Sequence, residues 1–265
     1  MTKPKTSTRL NVAVAAPSPD VEIRPKLILL LGRGSRGKTL LARWMIDRAA
    51  NAGRTIVAAD GDRTNRTLAR YFVHAVSPAS ADDADVREWI AGLVETQLLC
   101  GHDVLLDLGG GDLILKGLAR EMDLVAWLTG LGVDVVVVHL LGPSVDDADY
   151  VQAAEDESLI ASQATILVLN EGVVPPGRSA HAAFSETIQT MPIFSATVAR
   201  GARLVSMPRL EPASDLEESG LTFHLAAQGL APAGGHPLGP WKRQQVSIWL
   251  RRMEERFSTV TEWLP

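Results

Sequence analysis

The run GRGSRGKT, Gly32 to Thr39, fits the pattern GxxxxGK[ST] at every specified position, and that spacing suits a polyphosphate. Gly37 allows close backbone approach, and successive N–H groups along Gly32, Arg33, Gly34, Ser35, Arg36 and Gly37 can surround phosphate oxygens. The Lys38 ammonium can pair with the outer phosphates and the Thr39 hydroxyl with Mg²⁺, while Leu40 continues the turn beside them. A glycine turn without a ligand is the plainer alternative.

A magnesium–phosphate site also needs carboxylates at neighbouring strand ends, because this ion prefers oxygen ligands and keeps several waters. Asp107 closes the apolar run DVLLDL and precedes three glycines, Gly109 to Gly111, which suit a loop that senses the terminal phosphate. Asp60 and Asp62 end the run TIVAADGD, where one of them can orient an attacking water or a metal-bound water. Acidic residues also cap loops after strands for purely structural reasons.

Those residues have to be carried by strands and helices in alternation. From Lys26 the chain alternates short β runs with helical windows, the pattern of a mostly parallel sheet. Strands are predicted at 26–31, 55–59, 103–108, 134–140, 165–169 and 193–196, with a helix from about Val86 to Leu99 and a short one around Leu68 to Phe72. The expected fold is α/β: a doubly wound, mostly parallel sheet with helices on both faces. Residues 1–25 read as a flexible tail, 26–228 as the main domain, 229–240 as a Gly/Pro-rich loop, and 241–265 as an amphipathic helix packed on that domain. Val246, Trp249, Leu250, Met253, Phe257 and Val260 form its helical-period stripe.

The chain has 265 residues, 46% hydrophobic but only 5% aromatic, which is enough for a sizeable aliphatic core. A net charge of -5 argues against a surface that coats nucleic acid all round, and leaves room for a local basic patch. Lys242, Arg243, Arg251 and Arg252, with Arg256, mark such a patch on the last helix, where DNA phosphates could be held irrespective of sequence; a solvated face balanced by Glu254 and Glu255 is the alternative. Lys3, Lys5 and Arg9 in the tail are weaker pointers of the same kind. The lone Cys100 excludes an intramolecular disulfide, and the N-terminus lacks the pattern of a secretory signal, so a cytoplasmic location is expected. Leu124 to Gly142 is hydrophobic, but Gly130, Gly132, Asp134 and His139 interrupt it, and no membrane span is expected. No zinc-type histidine spacing occurs. Asp146, Asp147 and Asp149 stand near a helix start, where acids favour the helix dipole.

Taken together, these motifs resemble the ParA/MinD-type ATPases with the deviant Walker A loop. Their KGGxGK[ST] is similar to RGSRGKT, Arg33 to Thr39; their DxDxQxN segment to ADGDRTNRTL, Ala59 to Leu68; and their second switch to DLGGG, Asp107 to Gly111. VLNEG places Asn170 at their adenine-contacting Asn, and SMPRLEPASDLEESGLTF is similar to their late IPR-type segment. The order is kept over about Lys26 to Phe223. The chain departs from the pattern at Arg33, where the family has Lys, and at Ser35, where it has Gly.

The resemblance implies ATP and Mg²⁺ as cofactors, and an ATP-dependent homodimer whose slow hydrolysis, stimulated by a partner protein, acts as a timer. It further implies nonspecific DNA or a membrane surface as a track, in partitioning of DNA or positioning of another cargo. By position it makes Asp62 the catalytic switch acid, Thr39 and Asp107 with Asp62 the metal residues, and Asn170, Pro208 and Arg209 the adenine pocket. Arg33 then takes the role of the signature Lys, joining Lys38 in neutralising phosphate charge; a solvated loop residue is the alternative. Two other readings compete: a P-loop kinase or ligase acting on a small metabolite, and a nucleotide-gated binding module that scarcely hydrolyses.

Overall fold

The computed structural model describes residues 24–63, 66, 68–109, 113–155, 162–231 and 235–265. Most of the expected tail, with Lys3, Lys5 and Arg9, lies outside the described residues, as do Gly110, Gly111 and residues 232–234 of the Gly/Pro-rich loop.

The chain runs β1 (Lys26–Leu31), α1 (Lys38–Asn51), β2 (Ile56–Gly61), a 3-10 turn (Leu68–Arg70), α2 (Asp83–Cys100), β3 (Asp103–Leu108), α3 (Leu113–Met122), α4 (Leu124–Gly130) and β4 (Asp134–Leu141). It continues through α5 (Val145–Glu155), β5 (Ala164–Asn170), α6 (Ala180–Ser185), α7 (Pro192–Ala199), β6 (Arg203–Met207), α8 (Ala213–Ser219), α9 (Phe223–Gln228) and α10 (Pro240–Phe257). The strands form one six-stranded sheet in the order β2-β3-β1-β4-β5-β6, with every pairing parallel. Because β1 sits between β3 and β4, the loop that follows it opens at the middle of the sheet's C-terminal edge, where open α/β sheets bind ligands.

Alternate residues of β1 serve opposite faces, as the period of two requires. Ile28 and Leu30 join a cluster with α1, α9 and α10, whereas Leu27, Leu29 and Leu31 join one with α2, α3 and α4. A third cluster packs α5, α6 and α7 against Leu141, Leu167 and Leu169 of β4 and β5. Helices therefore cover both faces, and the sheet is doubly wound.

One expected strand is a helix. Ile193 to Ala196 lie in α7, which begins with Pro192 at its first turn, a position that suits a residue with fixed φ and no N–H. Ile193 and Thr197 are its buried residues, spaced four apart, and the Thr197 hydroxyl donates to the Ile193 carbonyl at 2.8 Å. The sixth strand is RLVSM instead, a five-residue edge strand whose Arg203 and Ser206 disguise it in the sequence.

Candidate phosphate-binding site

The loop 32–37 joins β1 to α1 with a left-handed backbone at Ser35 (φ 59°) and Gly37 (φ 89°). Both of its terminal glycines are required by close approach. A Cβ on Gly32 would lie 2.7 Å from the Leu140 carbonyl oxygen, and one on Gly37 would lie 2.6 Å from Asn170 Nδ2. The loop thus drapes from the end of β1 across β4 to the end of β5.

Lys38, the first residue of α1, is buried, and its Nζ donates to the carbonyls of Gly32 at 2.8 Å and Arg33 at 3.1 Å. The ammonium therefore sits inside the curve of the loop. Burial pulls it below the usual lysine range, against the pull of the Asp107 and Asp62 carboxylates.

Asp107, the last residue but one of β3, is in register with Leu30 of β1, so the parallel pairing brings it close to the start of the loop. Its Oδ2 accepts from the Thr39 hydroxyl at 3.0 Å. Burial pushes Asp107 up to about 6, although the Thr39 hydroxyl and the Lys38 ammonium act in the opposite direction. These residues fit Mg²⁺: adjacent corners of an octahedron with metal–oxygen distances of 2.0–2.1 Å lie about 2.9 Å apart, close to the hydroxyl–carboxylate separation. A buried carboxylate this short of compensating charge also favours a cation.

Asp60 and Asp62 separate into different roles. Asp60 is buried in β2 and accepts from the backbone N–H groups of Asp62 (3.3 Å), Leu68 (2.9 Å) and Ala69 (3.4 Å), so it caps the 3-10 turn. Burial raises it above the ordinary carboxylate range despite those bonds. Asp62 is half-buried and faces Gly109, where a Cβ would lie 3.4 Å from its Oδ1. Both Asp62 and Asp107 act electrostatically on Lys38, so the two carboxylates approach the loop together.

Asn170, at the end of β5, donates from Nδ2 to the Arg36 carbonyl at 2.8 Å and accepts at Oδ1 from Gly172 N–H at 2.8 Å. It pairs in register with Met207, which precedes Pro208. The Pro208 carbonyl accepts from Trp249 Nε1 at 2.9 Å, and exposed Arg209 donates to the Val174 carbonyl. Gly34 and Ser35 are exposed at the loop tip, and Leu40 is half-buried.

Arg33 and Arg36 show what the sequence reading missed. Arg33 Nη1 is 2.7 Å from Asp146 Oδ2, and Arg36 Nε is 2.8 Å from Asp147 Oδ1. Asp146 and Asp147 open α5, and their adjacency does favour the helix dipole. Asp147, however, is 1% exposed and faces the loop. Two consecutive acids after a strand end, against two arginines in a glycine loop, were the available signal.

The four cations proposed for DNA do not share one face. At about 100° per residue, Lys242, Arg243, Arg251 and Arg252 fall near 0°, 100°, 180° and 280° around α10. Lys242 pairs with Asp215, Arg251 lies 3.8 Å from Glu255, and Arg243 is half-buried against Gly229. No helix among the described residues is long and apolar enough to cross a membrane.

Fold and site together define a parallel α/β protein with a GxxxxGK[ST] loop at the centre of its sheet. Among solved structures, the chain is similar to the MinD cell division protein of Aquifex aeolicus, at 15% identity and a TM-score of 0.44 over 87% of this chain and 97% of that one. It is also similar to the MinC:MinD cell division protein complex from Aquifex aeolicus, at 13% identity and a TM-score of 0.49 over 87% and 96%. A third similar structure is the cell division protein FtsY of Thermotoga maritima, at 16% identity and 0.42 over 92% and 72%. No family model matches the chain, and no curated protein matches it. Its function therefore has to be argued from its own side chains.

Proposed function

We propose that this protein binds a magnesium–nucleoside triphosphate, ATP by its motif resemblance, and hydrolyses it as the switch of a nucleotide-dependent homodimer. The observation that carries the reading is the convergence of three groups. Lys38 is folded into the loop, Thr39 bonds to Asp107 at 3.0 Å, and Asp62 stands beside Gly109 at the same strand ends. In this reading the loop amides and Lys38 hold the phosphates, so that charge developing in transfer meets donors already in place. Thr39 and Asp107 would hold Mg²⁺, which supplies charge neutralisation on the phosphate oxygens. Asp62 accepts a hydrogen bond from the attacking water and orients it, and Asn170 with Pro208 and Arg209 borders the base. Arg33 stabilises transferring charge once it leaves Asp146.

Partitioning or positioning of DNA or other cargo is the cellular role that the motif resemblance implies, and it rests on that resemblance alone. The scattering of cations around α10 lends it no support.

Calorimetry with MgATP and MgGTP, followed by phosphate release and by light scattering in ADP and in ATP, tests the reading. Expected are heat with MgATP, slow phosphate release, and a dimer in ATP that Arg33→Ala weakens. Folded protein giving no heat with any nucleoside triphosphate and Mg²⁺ would sink it. A monomer in ATP with normal turnover would leave the ATPase and remove the dimer switch. Adding nonspecific DNA to the ATP form decides the track: an ATP form indifferent to DNA rejects it.

A further inference from the structure

Three features hold the phosphate loop in shape, and only Lys38 is explained by the GxxxxGK[ST] pattern itself. Arg36 lies between the left-handed residues Ser35 and Gly37, and it is gripped at both ends. Its carbonyl accepts from Asn170 Nδ2 at 2.8 Å, and its Nε donates to Asp147 Oδ1 at 2.8 Å. The Asp147 side chain is 1% exposed, whereas that of Arg36 is 23% exposed, so the acid is the fixed half of the pair.

Asp147 is itself locked. Its Oδ2 accepts from Gly142 N–H at 3.2 Å and its own N–H donates to the Ser144 carbonyl at 3.0 Å, so the turn from β4 into α5 closes on it. A Cβ on Gly142 would lie 3.1 Å from both Arg36 Nε and Asp147 Oδ2, so the pair packs directly against a residue without a side chain. A carboxylate this far out of water is sustained by its hydrogen bonds and its charge partner, and removing one partner leaves the other charge uncompensated.

We infer that Asp147 is a positioning residue for the phosphate loop: by clamping the Arg36 guanidinium while Asn170 clamps the Arg36 carbonyl, it keeps the loop amides converged before a ligand arrives. The inference rests on the reading of Gly32 to Thr39 as the nucleotide site. Its consequence is affinity, because a loop already ordered loses less freedom when it binds. It also predicts coupling, since breaking either half of one clamp abolishes the same effect.

The test is calorimetric titration with MgADP, near neutral pH, of wild type, Asp147→Asn, Arg36→Met and the double variant, with circular dichroism and melting temperature for each. The expected outcome is that each single variant, still folded, binds about tenfold more weakly, and the double no more than about twofold beyond the weaker single. A contribution to stability alone would lower the melting temperature and leave the affinity of the folded protein untouched. Wild-type affinity in either folded single variant, or losses that multiply in the double, overturns the inference. Should Asp147→Asn not fold, Arg36→Lys against Arg36→Met carries the test. Lysine keeps the charge facing Asp147 and is expected to retain affinity within about threefold, which methionine does not; equal affinities overturn it. A folded wild type that gives no heat with MgADP or MgATP removes the nucleotide reading itself, whereas binding by wild type and variants alike removes only the role of Asp147.

Discussion

The C-terminal edge of the sheet and the apolar layer beneath α10 are built on opposite terms, and α1 belongs to both. At the edge, Lys38, Asp60, Asp107, Asp147 and Asn170 are all buried polar groups, and the loop between β1 and α1 includes a left-handed serine. In the layer, Trp44 packs on Phe257 with ring centroids 4.8 Å apart, and Phe223 packs on Trp249 at 5.0 Å. The edge carries desolvated charge and backbone strain, both of which oppose folding. The layer contributes transfer of large side chains out of water, the dominant favourable term. Since the N-terminus of α1 presents Lys38 and Thr39 while its middle buries Trp44 and Met45, the layer is what anchors the helix that the site strains.

That contrast breaks first if damage to the layer is felt at the site. Phe257→Ala is expected to cost about 3–5 kcal/mol of stability, by lost transfer and by the cavity beside Trp44. Chemical denaturation measures the loss, and nucleotide affinity of the molecules that remain folded should stay within about twofold. A large affinity loss in folded Phe257→Ala would mean that α1 is not held as a rigid unit. Lys38→Ala is the mirror experiment. It should weaken nucleotide binding by about a hundredfold or more, on the order of the strongest charge-assisted contacts. Its melting temperature should fall only slightly, since the two carbonyl bonds and the Asp107 attraction it loses are offset by removal of an ammonium that burial already disfavours.

Asp107 sharpens the comparison through pH. Its folded value, about 6, lies above the 3.8 of an unperturbed carboxyl, so the folded chain binds more protons between those values. The contribution of this group to stability is therefore greatest at low pH and declines as pH rises from about 4 through about 6. Asp107→Asn should abolish that part of the pH dependence and raise stability above pH 6 by on the order of 2–3 kcal/mol, read by denaturation at several pH values. Magnesium requires the carboxylate, so magnesium-dependent nucleotide binding in the wild type should run the other way, failing as pH falls through about 6. A magnesium effect that is flat from pH 5 to pH 8 would take Asp107 out of the metal site.

Much of the fold was legible because it is local. The GxxxxGK[ST] spacing is one short contiguous run, and the aliphatic runs of β1 to β5 and the helical stripe of Val246, Trp249, Met253 and Phe257 are each patterns within single elements that the structure contains. β6 was hidden because RLVSM is an edge strand, with Leu204 40% exposed, so it lacks the apolar run that marks its neighbours. α7 was mistaken for a strand because four residues cannot distinguish a period of two from one of 3.6. The partners of the loop arginines were not legible, because they come from across the sheet. Arg36 meets Asp147 more than a hundred residues later, and only the placement of β4 beside β1 brings them together. Asp60 and Asp62 differ by two positions in sequence, yet one caps a turn and the other faces the loop of β3. Chain direction at the end of β2 decides that, and composition does not record it.

The smallest expected effect bears on the strain at the edge. Ser35 holds φ at 59° in an exposed position, a conformation that costs an L-residue about 1–2 kcal/mol and costs glycine nothing. Glycine in turn has more freedom to lose on folding, by about 0.5–1 kcal/mol. Ser35→Gly should therefore stabilise by the difference, roughly 0.5–1 kcal/mol, and raise the melting temperature by about 1–3 °C in a chain of this size. Affinity should stay level, because Lys38, Asn170 and Asp147 hold the loop from its other residues. A lower melting temperature would show that the serine side chain contributes more than its backbone costs. A fall in affinity at unchanged stability would show that loop stiffness at position 35, beyond the clamps on Arg36, shapes the phosphate site.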